Sequence, residues 1–103
     1  MARPYGEKFL RELDESEDDS LGVRLARVCV RANLPATYVA SALGTTRLTI
    51  YSWFRGRQIR TKSRKSVQDF ISLIKQAINE DRLPAADQET VRKFIEEITG
   101  VPV

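Results

Sequence analysis

Histidine is absent from this chain, cysteine and tryptophan occur once each, and glycine and proline together make up only nine of its 103 residues. Each scarcity removes a class of protein. With no histidine and the single thiol of Cys29, no zinc finger can be assembled. No intramolecular disulfide can form either, which points to a reducing compartment and a cytoplasmic location. Histidine is the commonest general acid or base near neutral pH, and no Gly-rich phosphate loop or nucleophile elbow stands in for it. The chain therefore reads as a non-enzyme with no cofactor. No apolar run approaches the roughly 20 residues of a membrane-spanning helix. The opening segment, MARPYGEKFLRELDE, is charged and amphipathic, unlike a signal peptide. Strand-like alternation is scarce and helical periodicity dominates, so the expectation is one soluble all-α domain over residues 1–103.

Acidic residues are also missing from one long stretch. Residues 1–19 carry three basic and seven acidic side chains, and residues 67–103 carry four and seven. Between them, residues 20–66 hold ten basic residues and not one Asp or Glu. Such a block fits a face that neutralises phosphates and releases counterions on binding a duplex. The competing reading is a solvated surface whose arginines pair with the acidic flanks. The run Asp14, Glu15, Glu17, Asp18 and Asp19 reads as a solvated linker, or as an acidic contact for a basic partner or for the chain's own basic face. A nuclease would need carboxylates for metal beside that face, and the stretch 20–66 supplies none.

Six helices are expected. The first runs from Pro4 to about Asp14, with Tyr5, Phe9 and Leu13 at four-residue spacing. The second spans about Leu21 to Asn33, striped by Leu21, Leu25, Val28, Cys29 and Ala32. Cys29 thus reads as a small buried hydrophobe rather than a reactive thiol. Pro35 opens a third helix that Gly44 ends, and a fourth runs from Arg47 to Arg55 with Thr46 as N-cap and Gly56 as the left-handed stop. A basic loop, Gly56–Lys62, precedes a long helix from about Ser63 to Glu80, striped by Val67, Phe70, Ile71, Ile74, Ala77 and Ile78. The last helix starts at the cap Asp87, carries Val91, Phe94, Ile95 and Ile98, and stops at Gly100.

The segment ATYVASALGTTRLTIYSWFR, Ala36 to Arg55, meets the demands of two helices packed across a tight turn. The crossing wants a small residue, and Ala40 is there; the turn wants a residue tolerant of positive φ, and Gly44 follows four later. Val39, Leu43, Ile50 and Trp53 face inward, which makes Trp53 core. Arg47, Leu48, Tyr51, Ser52 and Arg55 remain on the outer face of the second helix. This pattern resembles the lambda-repressor-like (Cro and phage-repressor) helix-turn-helix family over roughly Leu21 to Lys75, with its core in GTTRLTIYSWFRG, Gly44 to Gly56. The resemblance implies a compact multi-helix domain around a helix-turn-helix: an acidic N-terminal extension (1–20), the basic core (21–62) and C-terminal helices (63–103).

It also implies that the second motif helix enters the major groove of double-stranded DNA. Arg47 and Leu48, at its N-terminus, are then best placed for base edges, arginine by its planar fork on guanine and leucine on a thymine methyl. Tyr51 and Ser52 lie one turn on, and Arg55 reaches a base or a phosphate. Tyr51 admits a phosphate contact or packing against the helix face. Where the family has a polar phosphate contact at the start of the first motif helix, this chain has Ala36, with Thr37 and Tyr38 adjacent for that role. Thr46, Arg57, Arg60, Lys62, Arg64 and Lys65 complete the phosphate set, with a backbone N–H at the long helix's start, Ser63, as a further contact.

The implied function is a transcriptional regulator of phage-like or mobile-element type. Two other classes fit the sequence: a protein-binding modulator, for instance of RNA polymerase, and a DNA-packaging or replication accessory factor. The apolar stripes of the last two helices either close the core or form a homodimer seam, and a dimer would imply half-sites about one helical turn apart. No membrane partner is expected.

Overall fold

A computed structural model describes residues 4–100. Among them the fold is all-α: six helices and no strand, in a body of about 31 × 31 × 24 Å. No described helix is long and apolar enough to cross a membrane.

The first helix, α1 (Glu7–Glu15), begins three residues later than its sequence pattern suggests. Gly6 is its extended N-cap, and Tyr5 lies outside it. The reason is tertiary. The Tyr5 ring is buried, and its hydroxyl donates to the Leu34 carbonyl at 2.6 Å, which holds this residue in a connection instead of a helical turn. Leu13 is buried and Phe9 half-buried, as their spacing requires.

α2 (Leu21–Arg31) buries Leu21, Leu25, Val28 and Cys29. It stops short of Asn33 because Asn33 takes a left-handed φ of 55°, a conformation Asn tolerates. The chain then turns through Leu34, whose N–H bonds the Cys29 carbonyl. α3 (Ala36–Leu43) follows, with Pro35 as extended N-cap and Gly44 in the left-handed C-cap position (φ 66°). A turn of three residues, Gly44-Thr45-Thr46, leads to α4 (Arg47–Phe54). Thr46 caps α4 as expected: its Oγ1 accepts from the Thr49 N–H at 3.2 Å.

α5 (Thr61–Asn79) starts two residues before Ser63, so Thr61 and Lys62 belong to its first turn instead of the loop. Ile59, a lone apolar residue among basic ones, explains the earlier start. It is buried to 2% exposure and anchors the chain just before the Arg60 cap. α6 (Gln88–Thr99) is capped by Asp87 and closed by left-handed Gly100.

α2 lies at the centre, packed on α1, α4 and α5, while α3 packs on α4, α5 and α6. Leu25 of α2, Leu34 of the following turn, Val39 of α3, Ile50 of α4, Ile74 of α5 and Ile95 of α6 are all fully buried. Each such side chain contributes about 1.5–3 kcal/mol by leaving water. The stripes of α5 and α6 face this core: Val67, Phe70, Ile71, Ile74, Val91, Phe94 and Ile95 are all buried. Among the described residues, Leu73 is the one large apolar side chain these two helices leave exposed.

Candidate nucleic-acid interface

The orientation of α4 is set by two close contacts. Gly22 of α2 lies so near the Trp53 backbone that a Cβ there would collide with the Trp53 carbonyl oxygen. Glycine lets the two helix axes approach, and Ile50, Trp53 and Phe54 then enter the core. On the other side, Tyr51 and Phe54 join Tyr5 and Phe9 in an aromatic cluster. Tyr51 meets Phe54 edge-on at 5.8 Å, Phe9 at 6.3 Å and Tyr5 at 6.5 Å between ring centroids. The Tyr51 ring thus packs in the cluster while the residue stays half-buried.

What remains outward on α4 and its C-cap is Arg47, Leu48 and Arg55, all exposed, with Ser52 half-buried beside them. Leu48 is 81% exposed and stands clear of the core. Below this face, a cleft of about 420 Å³ opens between the α3–α4 turn and the start of α5. Arg57, Arg60 and Lys62 line it together with Thr49, Ser52 and the edge of Trp53, and no carboxylate does. Thr37, Tyr38, Arg64 and Lys65 lie outside it. Thr37 is exposed on the first turn of α3; Tyr38 is half-buried against the core. Arg64 is half-buried, and Lys65 turns along α5 to Asp69 at 3.4 Å. Thr46 has its hydroxyl engaged with Thr49, through both the N–H and the Oγ1.

The ion pairs show how far the acidic flanks neutralise the basic block. Of its ten cations, Arg27 pairs with Asp19 at 3.9 Å and Lys65 with Asp69; the other eight have no acidic partner among the described residues. The acidic flanks do not neutralise the block. Arg82, Arg92 and their glutamates form pairs of their own between residues 82 and 97. The acidic run touches the block at Arg27, which also donates to the Ser16 carbonyl at 2.9 Å, and through Asp18, whose carboxylate accepts from the Ser20 N–H at 2.8 Å and lies against Gly56.

Sequence reasoning did not single out Trp53, Thr49 or Gln58 as cleft residues. Trp53 is 8% exposed, as a core residue should be, yet it also lines the cleft, and its indole N–H has no hydrogen-bond partner among the described residues. Its inward spacing hid the second role. Cys29 is fully buried, and that burial pushes its thiol well above the ordinary range, so no reactive nucleophile is offered there.

None of the protein-family models, curated proteins or solved structures compared with this chain matches it.

Proposed function

We propose that this chain binds double-stranded DNA with α4 in the major groove and acts as a transcriptional regulator of phage-like or mobile-element type, built on a lambda-repressor-like helix-turn-helix. The observation that supports this most directly is the run of unpaired cations on and after α4, next to an exposed Leu48. The six there, Arg47, Arg55, Arg57, Arg60, Lys62 and Arg64, repel one another without counter-ions, and a polyanion relieves that repulsion. Arg47 and Leu48 are assigned to base edges, with Arg55 and Ser52 further along the same face. Arg57, Arg60 and Lys62 hold phosphates and carry no sequence information. Tyr51 positions α4 from behind. A homodimer seated on the C-terminal helices would centre on Leu73.

Fluorescence anisotropy with a labelled duplex pool, titrated over a range of salt, tests the reading, and the emission of Trp53 reports the same event from the protein side. Binding should weaken steeply with salt. Arg47→Ala should cost on the order of 1–3 kcal/mol at one base pair of a selected site, whereas Lys62→Ala should weaken all sequences alike and lower the salt slope by about one. Absence of binding at low salt would overturn the proposal. Equal, sequence-independent losses for both variants would remove Arg47 from the base contacts.

A further inference from the structure

A second surface lies away from α4. Between α1 and α2 runs a groove of about 740 Å³, within the size range of ligand sites. Leu10, Leu13 and Val30 form its apolar floor, and Arg11, Arg27 and Arg31 its rim. No residue of α3, α4, α5 or α6 lines it. We propose that this groove docks an acidic amphipathic segment of a partner protein, carboxylates on the arginines and an apolar ridge on the floor.

The chain already shows how the rim engages such a segment. Arg27 holds the acidic linker by the Ser16 carbonyl and the Asp19 carboxylate. Arg11 and Arg31, both exposed, have no partner among the described residues. One carboxylate, Asp14, faces the same groove, which leaves the rim with a surplus of positive charge. Guanidinium groups take carboxylates through paired N–H donors, and a helix laid in a groove supplies carboxylates and leucines on adjacent faces. The floor argues against a nucleic acid. Phosphates gain nothing from Leu10 or Val30, and the one ring in the groove, Tyr5, is already stacked on Phe9 at 5.4 Å. The proposal is independent of the DNA reading, because the two surfaces share no side chain assigned a role in either.

The probe is a labelled synthetic helix of roughly 14 Glu and Leu residues, with Leu at i, i+3, i+4 and i+7, titrated against the full chain. A Glu/Ser peptide of equal charge serves as control. The Glu/Leu peptide should bind and shift the methyl resonances of Leu10, Leu13 and Val30. Arg11→Glu with Arg31→Glu should lower its affinity at least about tenfold with unchanged circular dichroism, since both positions are exposed. Arg47→Ala should leave it alone. Equal binding of the Glu/Ser peptide, shifts confined to other methyls, or indifference to the double variant would each overturn the proposal. So would a duplex that shifts these same methyls and displaces the peptide, which would assign the groove to nucleic acid.

Discussion

Gly22 would ordinarily count against a helix, since glycine costs about 1 kcal/mol relative to alanine in a helix interior. Here the balance reverses, because the space a Cβ would occupy is filled by the Trp53 carbonyl, which is backbone and cannot swing aside. Gly22→Ala should therefore destabilise the fold by roughly 1–3 kcal/mol, the range of overpacking, despite its better helix propensity. Urea unfolding measures it, and an unchanged or raised midpoint would show that the two helices can separate at little cost. Tyr5 is the other decisive residue. Burial, then the proximity of Cys29 and Tyr51, pushes its hydroxyl pKa far above the ordinary value. A raised pKa means that the folded state keeps its proton longer than the unfolded chain does. Its contribution is complete below about pH 10, where the unfolded tyrosine titrates, and is lost as pH rises beyond that. Tyr5→Phe should cost on the order of 1–3 kcal/mol at neutral pH by stranding the Leu34 carbonyl. It should also flatten the alkaline loss of stability seen by urea titration across pH 8–11, a range set about the ordinary tyrosine value.

At the scale of elements, the ends that carry their own chemistry could be read directly. Thr46, Asp87, Gly44 and Gly100 each act through a bond or a φ within a few residues, so local sequence contains the whole cause. The stripes of α2, α5 and α6 were legible for the same reason. The starts of α1 and α5 were not, because they depend on where Tyr5 and Ile59 find their partners in space. The candidate site divides in the same way: the outward set Arg47, Leu48 and Arg55 follows from helical spacing, while the cleft and the fate of Tyr51 needed α1 and α5 in place. The two side-chain caps make separable predictions. Thr46→Ala should cost about 0.5–2 kcal/mol at any pH, because its hydroxyl does not titrate. Asp87 accepts the Thr90 N–H and the Thr90 hydroxyl, both at 2.8 Å, and these bonds hold its carboxyl below its usual pKa. A lowered pKa contributes stability above about pH 4, where the unfolded carboxyl is ionised, and loses it as pH falls through the folded value. The difference between wild type and Asp87→Ala should accordingly shrink in acid, while that for Thr46→Ala should not. Parallel urea titrations at neutral and acid pH tell them apart.

For the whole molecule, one continuous core joins every helix, from Leu13 in α1 to Ile95 in α6. No described element has a core of its own. Far-UV circular dichroism, which reports all the helices, and the emission of Trp53, which reports α4 and the cleft, should give one unfolding midpoint. Separate midpoints would mean that α1 or the C-terminal helices melt independently of the centre.

The aromatic cluster has a consequence for how such a chain would discriminate among sequences. Tyr5 and Phe9 grip the second half of α4, through Tyr51 and Phe54, and leave Arg47–Leu48 at its free start and Arg55 at its cap. On the proposed reading, information is gathered chiefly at two separated points along the groove, with the short side chain of Ser52 the one contact between them. A tally of preferred bases would be bimodal, and the depth of its centre would be a measure of how firmly the aromatic cluster holds the fourth helix.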